Sequence, residues 1–216
     1  MLSFPRYLPW IVATVCLVSF GVTYRELHRV RDRLAEASRR PPFHDHTDVR
    51  QFIVRAALAG TKEPIVIFGD SITEMARFPE EACGHVVVNA GVGGTTISHF
   101  DNLAPGLLGR VKPYAIVVAL GANDLGSSTV SADYSRLLTI LKRFSPRVIA
   151  VADAPSAAVN SEISRASTEA GIEFVNPDPP PEMRFDGIHL DRAGYQVWTP
   201  AIMSAISRLC GQQSAR

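Results

Sequence analysis

The sequence predicts an α/β fold: a doubly wound, flavodoxin-like, three-layer α/β/α sandwich on a five-stranded parallel sheet, preceded by an apolar N-terminal helix. Three observations predict it. Of five short runs rich in Ile, Val and Ala, four are apolar throughout, as strands covered on both faces are. Segments of helical period alternate with them, which is the order of a parallel sheet wrapped by helices. The first three runs each stop abruptly at Gly, Asn, Asp or Ser, at the strand ends where such sheets place their binding crevice.

The elements come in this order. Tyr7 to Tyr24 carries no charge over 18 residues. As a helix it would span roughly 27 Å, just short of a hydrocarbon core of about 30 Å. Pro9 suits its first turn. No Ala-x-Ala cleavage pattern is present after it, so residues 1–24 read as a single-pass membrane anchor; a cleaved signal segment, with secretion, is the alternative. Residues 25–43 read as a basic juxtamembrane helix and linker. Six Arg (25, 29, 31, 33, 39, 40) stand there against Glu26, Asp32 and Glu36, and Pro41-Pro42 ends the helix. The positive-inside rule places the C-terminal domain in the cytoplasm, whereas an anchored hydrolase often works outside, so the side of the membrane stays open.

Residues 44–216 read as the globular domain. His44 and His46 are read as a polar helix start, not as metal ligands. Asp48–Leu58 is a helix by Val49, Phe52, Ile53 and Ala56, closed by Gly60. Strands are expected at Pro64–Phe68, Val86–Val88, Tyr114–Leu120, Val148–Ala152 and Ile172–Val175. Helices are expected at Thr95–Leu108, Ala132–Phe144, Ala157–Ala170 and Asp191–Leu209, with Trp198 in the core and His85 and His99 at the surface. Cys16, Cys83 and Cys210 have no metal or redox spacing and read as free thiols. With a formal net charge of +1, the chain gives no electrostatic case for nucleic acid. No metal or cofactor is implied: the Gly91–Gly94 turn lacks the nucleotide-binding glycine and Lys-Ser/Thr patterns.

Ile65 to Phe68 runs into Gly69-Asp70-Ser71, which sets a serine at the mouth of a helix. Taken alone, that serine is an N-cap as readily as a nucleophile. Three further blocks change the reading: Asn89-Ala90-Gly91-Val92-Gly93-Gly94 after the second strand, Gly121-Ala122-Asn123-Asp124 after the third, and Asp186-Gly187-Ile188-His189-Leu190 before the last helix. Ser, Gly, Asn and His in this order, each in its local motif, resemble the SGNH hydrolase family, the GDSL-like lipases and esterases. The resemblance covers residues 64–209.

What it implies is a serine esterase. A serine hydroxyl becomes a good nucleophile when a base takes its proton. The resemblance gives Ser71 as nucleophile, His189 as base and Asp186 as the group that orients the imidazole. It gives the backbone N–H groups of Ser71 and Gly94 and the side-chain amide of Asn123 as donors to the oxyanion. Gly91 and Gly93 then read as turn formers, Asp70 as a brace for the serine turn and Asp124 as a brace for its loop. The segment 176–185 is short and stiffened by proline, so the site should be open and suit a small acyl group such as acetyl on a larger alcohol, glycan or lipid. An SGNH-type O-acyltransferase and a catalytically silent, membrane-tethered binding module are the alternatives.

Overall fold

In the computed structural model the described residues are 8–37 and 45–211. The chain divides into two compact units, residues 1–44 and 45–216.

The first unit is described as one helix, α1 (Leu8–Ala37, 30 residues). The apolar run and the Arg-rich stretch therefore form one continuous rod of about 45 Å rather than two pieces. Its stretch Pro9–Leu34 is long and apolar enough to cross a membrane. Arg39, Arg40, Pro41, Pro42 and His44 lie outside the described residues.

The second unit begins with α2 (His46–Leu58), whose N-cap Asp45 accepts from the Asp48 N–H. Then come β1 (Ile65–Gly69), the five-residue α3 (Ser71–Met75), β2 (Glu81–Ala82) and β3 (His85–Gly91). Next are α4 (Ile97–Leu108), β4 (Ala115–Ala119), α5 (Val130–Leu141) and β5 (Val148–Val151). The chain closes with α6 (Ala157–Glu169), β6 (Glu173–Val175), a 3-10 turn at Pro181–Met183 and α7 (Arg192–Gly211).

The sheet order is β2-β3-β1-β4-β5-β6. It has six strands, not the expected five. β2 is only two residues long and pairs antiparallel with β3 at the edge, too short for periodicity to reveal. The other five strands are parallel in the flavodoxin order, and strand order reverses about β1, between β3 and β4. Alternate residues of β1 feed two cores. Val66 and Phe68 pack with Phe100, Tyr134 and Ile163 on the face of α2, α4, α5 and α6. Ile65 and Ile67 pack with Ile72, Trp198 and Ile202 on the face of α3 and α7. All five residues of β1 are buried, as their unbroken apolar run requires.

Cys83 and Cys210 are joined in a disulfide across 127 residues of sequence, contrary to the free-thiol expectation. The β2–β3 turn carries Cys83 to the last turn of α7. That proximity is created by the fold and leaves no local trace in the sequence. Cys16 is the free cysteine among the described residues, exposed on α1.

Candidate active site

Ser71 follows the carboxyl end of β1, Gly94 that of β3 and Asn123 that of β4, and Asp186 and His189 stand in the turn before α7. β1 ends at Gly69 because α3 turns back tightly over the sheet. A Cβ at Gly69 would lie 2.5 Å from the Ala119 carbonyl oxygen, and one at Gly91 2.4 Å from the Glu74 backbone nitrogen. Asp70 caps α3 by accepting the Ile72 N–H at 2.9 Å. Ser71 is thereby the first residue of α3, half-buried, with its hydroxyl toward the turn before α7.

That turn is built around Asp186. Its Oδ1 accepts the backbone N–H of Ile188 at 3.0 Å and of His189 at 2.7 Å, while Oδ2 lies 2.6 Å from His189 Nδ1. These three donors, the imidazole first, lower the Asp186 carboxyl to about 2. A carboxylate at Nδ1 favours the tautomer protonated there, which leaves the Nε2 lone pair facing outward. Ser71 Oγ lies 2.8 Å from His189 Nε2, so the hydroxyl donates to it. Ser71, His189 and Asp186 thus form a continuous hydrogen-bonded chain across 118 residues of sequence separation.

The turn is pinned by a residue that no motif marks. Arg184 donates to the Ile188 carbonyl and, at 3.2 Å, to the Asp153 carbonyl at the end of β5. Phe185, exposed, stacks on the His189 ring at 5.8 Å between centroids. Trp198 is fully buried and donates to the Ala152 carbonyl, and the Tyr195 hydroxyl donates to the Ile72 carbonyl at 2.7 Å. Burial pushes Tyr195 up to about 12, so its hydroxyl stays a donor.

Behind Ser71 two buried carboxyls, Asp70 and Asp153, face each other. Desolvation, only partly offset by the Ile72 N–H, raises Asp70 to about 6, and burial beside it pushes Asp153 well up. Asp70 Oδ2 and both carboxylate oxygens of Asp153 are buried without a hydrogen-bond partner among the described residues.

The Asn123 side-chain Nδ2 donates one hydrogen to the Thr95 carbonyl at 3.0 Å. The amide has two hydrogens, and the second is left to point away from that carbonyl. This bond sets Asn123 beside Gly94, whose φ of +74° is the left-handed conformation that favours glycine. Asp124 does more than brace its own loop: its carboxylate accepts the Ile97 N–H at the start of α4, at 3.1 Å. The Gly93 Cβ position would lie 3.7 Å from Ser71 Cβ, so the glycine turn runs alongside the serine. Gly93 stands in the turn with Gly94, as expected of a turn former, whereas Gly91 does not. Gly91 is the last residue of β3, and close approach of α3 is what demands glycine there.

Glu74, Arg50, His46 and Asn89 also converge on this turn. Of these, Asn89 and Glu74 stand inside or beside the Ser and Gly motifs, while Arg50 and His46 come from α2 with no motif to mark them. A cleft of about 550 Å³ lies behind the Asp186–Gly187 turn, between α6 and the proline-rich segment; Ser71 is not among its lining residues. Among the described residues no group of three or more His, Cys, Asp or Glu is placed to hold a metal ion.

Comparison with known proteins bears on the family and the fold. The profile of the GDSL-like Lipase/Acylhydrolase family matches residues 67–197. No curated protein matches by sequence. Among solved structures the chain is similar to a GDSL-like lipase from Bacteroides thetaiotaomicron VPI-5482, at 18% identity over 74% of this chain and 97% of that one, with a TM-score of 0.57. It is similar to a family 3 carbohydrate esterase from Clostridium thermocellum, at 17% identity, 70% and 98% coverage and a TM-score of 0.56. A catalytic mutant of an acetylxylan esterase from Geobacillus stearothermophilus matches at 17% identity, 68% and 95% coverage and a TM-score of 0.53. At such identities these likenesses speak to the fold, whereas the family profile spans more than half of the chain, including Ser71, Gly94, Asn123, Asp186 and His189. The chain belongs to the GDSL-like lipase/acylhydrolase family, hydrolases of ester bonds.

Proposed function

We propose that the protein is a membrane-tethered serine esterase that removes a small acyl group, such as acetyl, through an acyl-enzyme. The observation that carries this reading is the Ser71–His189–Asp186 chain, with Oγ 2.8 Å from Nε2 and Nδ1 2.6 Å from the carboxylate. Ser71 Oγ attacks the ester carbonyl while its proton passes to His189 Nε2. The oxyanion is met by the Ser71 and Gly94 N–H groups and the second Asn123 amide hydrogen. His189 then protonates the leaving alkoxide, and a water deprotonated by His189 hydrolyses the acyl-enzyme. Asp186 holds the imidazole and stabilises it while charged.

A small acyl group is favoured by the open surroundings. The segment before the turn holds only a 3-10 turn at Pro181–Met183, and the Asp186 side chain is 41% exposed. The acetylxylan and carbohydrate esterases among the structural neighbours favour an acetylated glycan as the alcohol part. In a p-nitrophenyl ester series, acetate is expected to be turned over fastest; a preference for long chains would overturn the small-acyl reading. Ser71→Ala should lower kcat by about 10⁴-fold or more and abolish labelling by a fluorophosphonate.

Tethering rests on α1. The Arg-rich end of α1 favours a cytoplasmic domain, whereas the Cys83–Cys210 disulfide favours an oxidising compartment. The disulfide weighs more, because a structural bond persists only where thiol pools do not reduce it, while flanking charge sets a bias. The disulfide thus supports reading the domain as lying outside the cytoplasm. In intact cells, externally added protease should digest it; full protection would place it inside.

A further inference from the structure

We propose that Glu74 is a positioning residue that sets the Gly93–Gly94 turn as an oxyanion site, and that α2 completes this device through His46 and Arg50. The inference rests on the serine-esterase reading above and names residues outside its catalytic chain. α2 also lies outside the stretch matched by the family profile, residues 67–197.

Glu74 stands three residues after Ser71 on α3, with its side chain only 17% exposed. Its Oε2 accepts the Gly93 backbone N–H at 2.7 Å. The same carboxylate is held by His46 Nε2 at 2.9 Å to one oxygen and 3.0 Å to the other, and lies 3.6 Å from Arg50 Nε. Arg50, 14% exposed, donates to the carbonyls of Gly91 at 2.7 Å and Asn89 at 2.9 Å, and to Asn89 Oδ1 at 3.1 Å. Arg50 thus grips the chain entering the turn, and Glu74 grips the turn itself. The two charges compensate each other in a half-buried setting where either alone would be costly.

The consequence concerns which N–H groups face the reacting carbonyl. The Gly93 N–H is consumed by Glu74, so it does not serve the oxyanion. Gly94 is the next donor along the chain, and its φ of +74° is held between the Glu74 bond on one side and the Asn123–Thr95 bond on the other. Ser71 Cβ and His46 Nε2 each lie 3.7 Å from the point a Gly93 Cβ would occupy, and Glu74 Oε2 lies 3.1 Å from it. The clamp and the serine therefore meet around one glycine. Donors act on a developing charge only when already in place, and a shift of a few tenths of an ångström would weaken them without altering how the ground state binds.

The test uses the full-length chain in detergent. Glu74→Ala should lower kcat on p-nitrophenyl acetate by about 10–100-fold while KM stays within about twofold. Affinity for phenylboronic acid, which becomes tetrahedral on the serine, should fall in parallel. Glu74→Gln, whose amide oxygen can still accept the Gly93 N–H, should recover most of kcat. Amide hydrogen exchange over residues 91–95 should quicken in Glu74→Ala and not in Glu74→Gln. His46→Ala, at a side chain 65% exposed, should lower kcat by about threefold or more, and it serves if Glu74→Ala does not fold. The proposal is overturned by kcat within twofold of wild type in Glu74→Ala, or by a loss carried in KM. An equal loss in Glu74→Gln without change in exchange also overturns it. A wild-type enzyme that resists fluorophosphonate and matches Ser71→Ala in activity would instead sink the serine-esterase reading. The exchange measurement would still judge the clamp in that case.

Discussion

At the scale of single residues, the site depends on carboxyls held in opposite protonation states. Asp186 is drawn down to about 2 by the imidazole and two backbone N–H groups, so it is charged at any working pH. Its folded value lies below the ordinary carboxylate range; the bonds it makes are present above about pH 4 and are lost as pH falls toward 2. Asp186→Asn, which cannot accept the Nδ1 proton in the same way, should lower kcat by about 10³–10⁴-fold with little change in KM. Asp70 and Asp153 are shifted the other way. With Asp70 raised to about 6, the folded state keeps a proton that the unfolded chain releases near pH 4. Stability from this pair should therefore fall as pH rises from about 4 through 6. Urea unfolding at pH 5 and pH 8 should show that decline in the wild type. Asp153→Asn should flatten it; an unchanged slope would mean that the pair does not hold that proton.

At the scale of elements, the strand ends do the positioning, and α3 is the hinge of the arrangement. The Asn89 side chain on β3 donates to the carbonyls of Thr73 at 2.8 Å and Ala76 at 3.0 Å, and its oxygen accepts the Gly91 N–H. It joins the end of α3 to the start of the glycine turn. Gly91→Ala would set a methyl against the Glu74 backbone and should cost about 1–3 kcal/mol in urea unfolding, with reduced esterase activity. The helices and the five parallel strands were legible from period and apolar runs, with ends displaced by one or two residues in most. β3 is the exception: it runs His85–Gly91, not Val86–Val88, because pairing with β1 carries the strand through Asn89 into the glycine motif. Pairing partners are tertiary, so the polar half of that strand read as loop.

At the scale of the whole molecule, the disulfide and the candidate active site sit at opposite ends of β3. Cys83 precedes its first residue and the Gly93–Gly94 turn comes after its last, about 20 Å along. Cys210→Ser should therefore lower stability by about 2–5 kcal/mol while leaving kcat of the folded protein unchanged. A fall in kcat without loss of stability would show the bond reaching the site. Non-reducing mass analysis of protein taken from cells should find these two thiols blocked and Cys16 reactive.

The sequence by itself determined the class of fold, the two-faced burial of β1, β4 and β5 and the three residues of the Ser71–His189–Asp186 hydrogen-bonded chain. Each of these is written locally, in an unbroken apolar run or a motif at a strand end. Tertiary structure decided what depends on distant residues meeting: the 2.8 Å contact of Ser71 with His189, the burial of Asp70 and Asp153 together, the Cys83–Cys210 bond and the edge strand β2. It also brought Arg50 and His46 from α2 onto Glu74, and Arg184 onto the Ile188 carbonyl beside His189. Those side chains lie in stretches whose spacing reports only a helix or a loop. Charge, burial and a partner brought close by the fold make them part of the site.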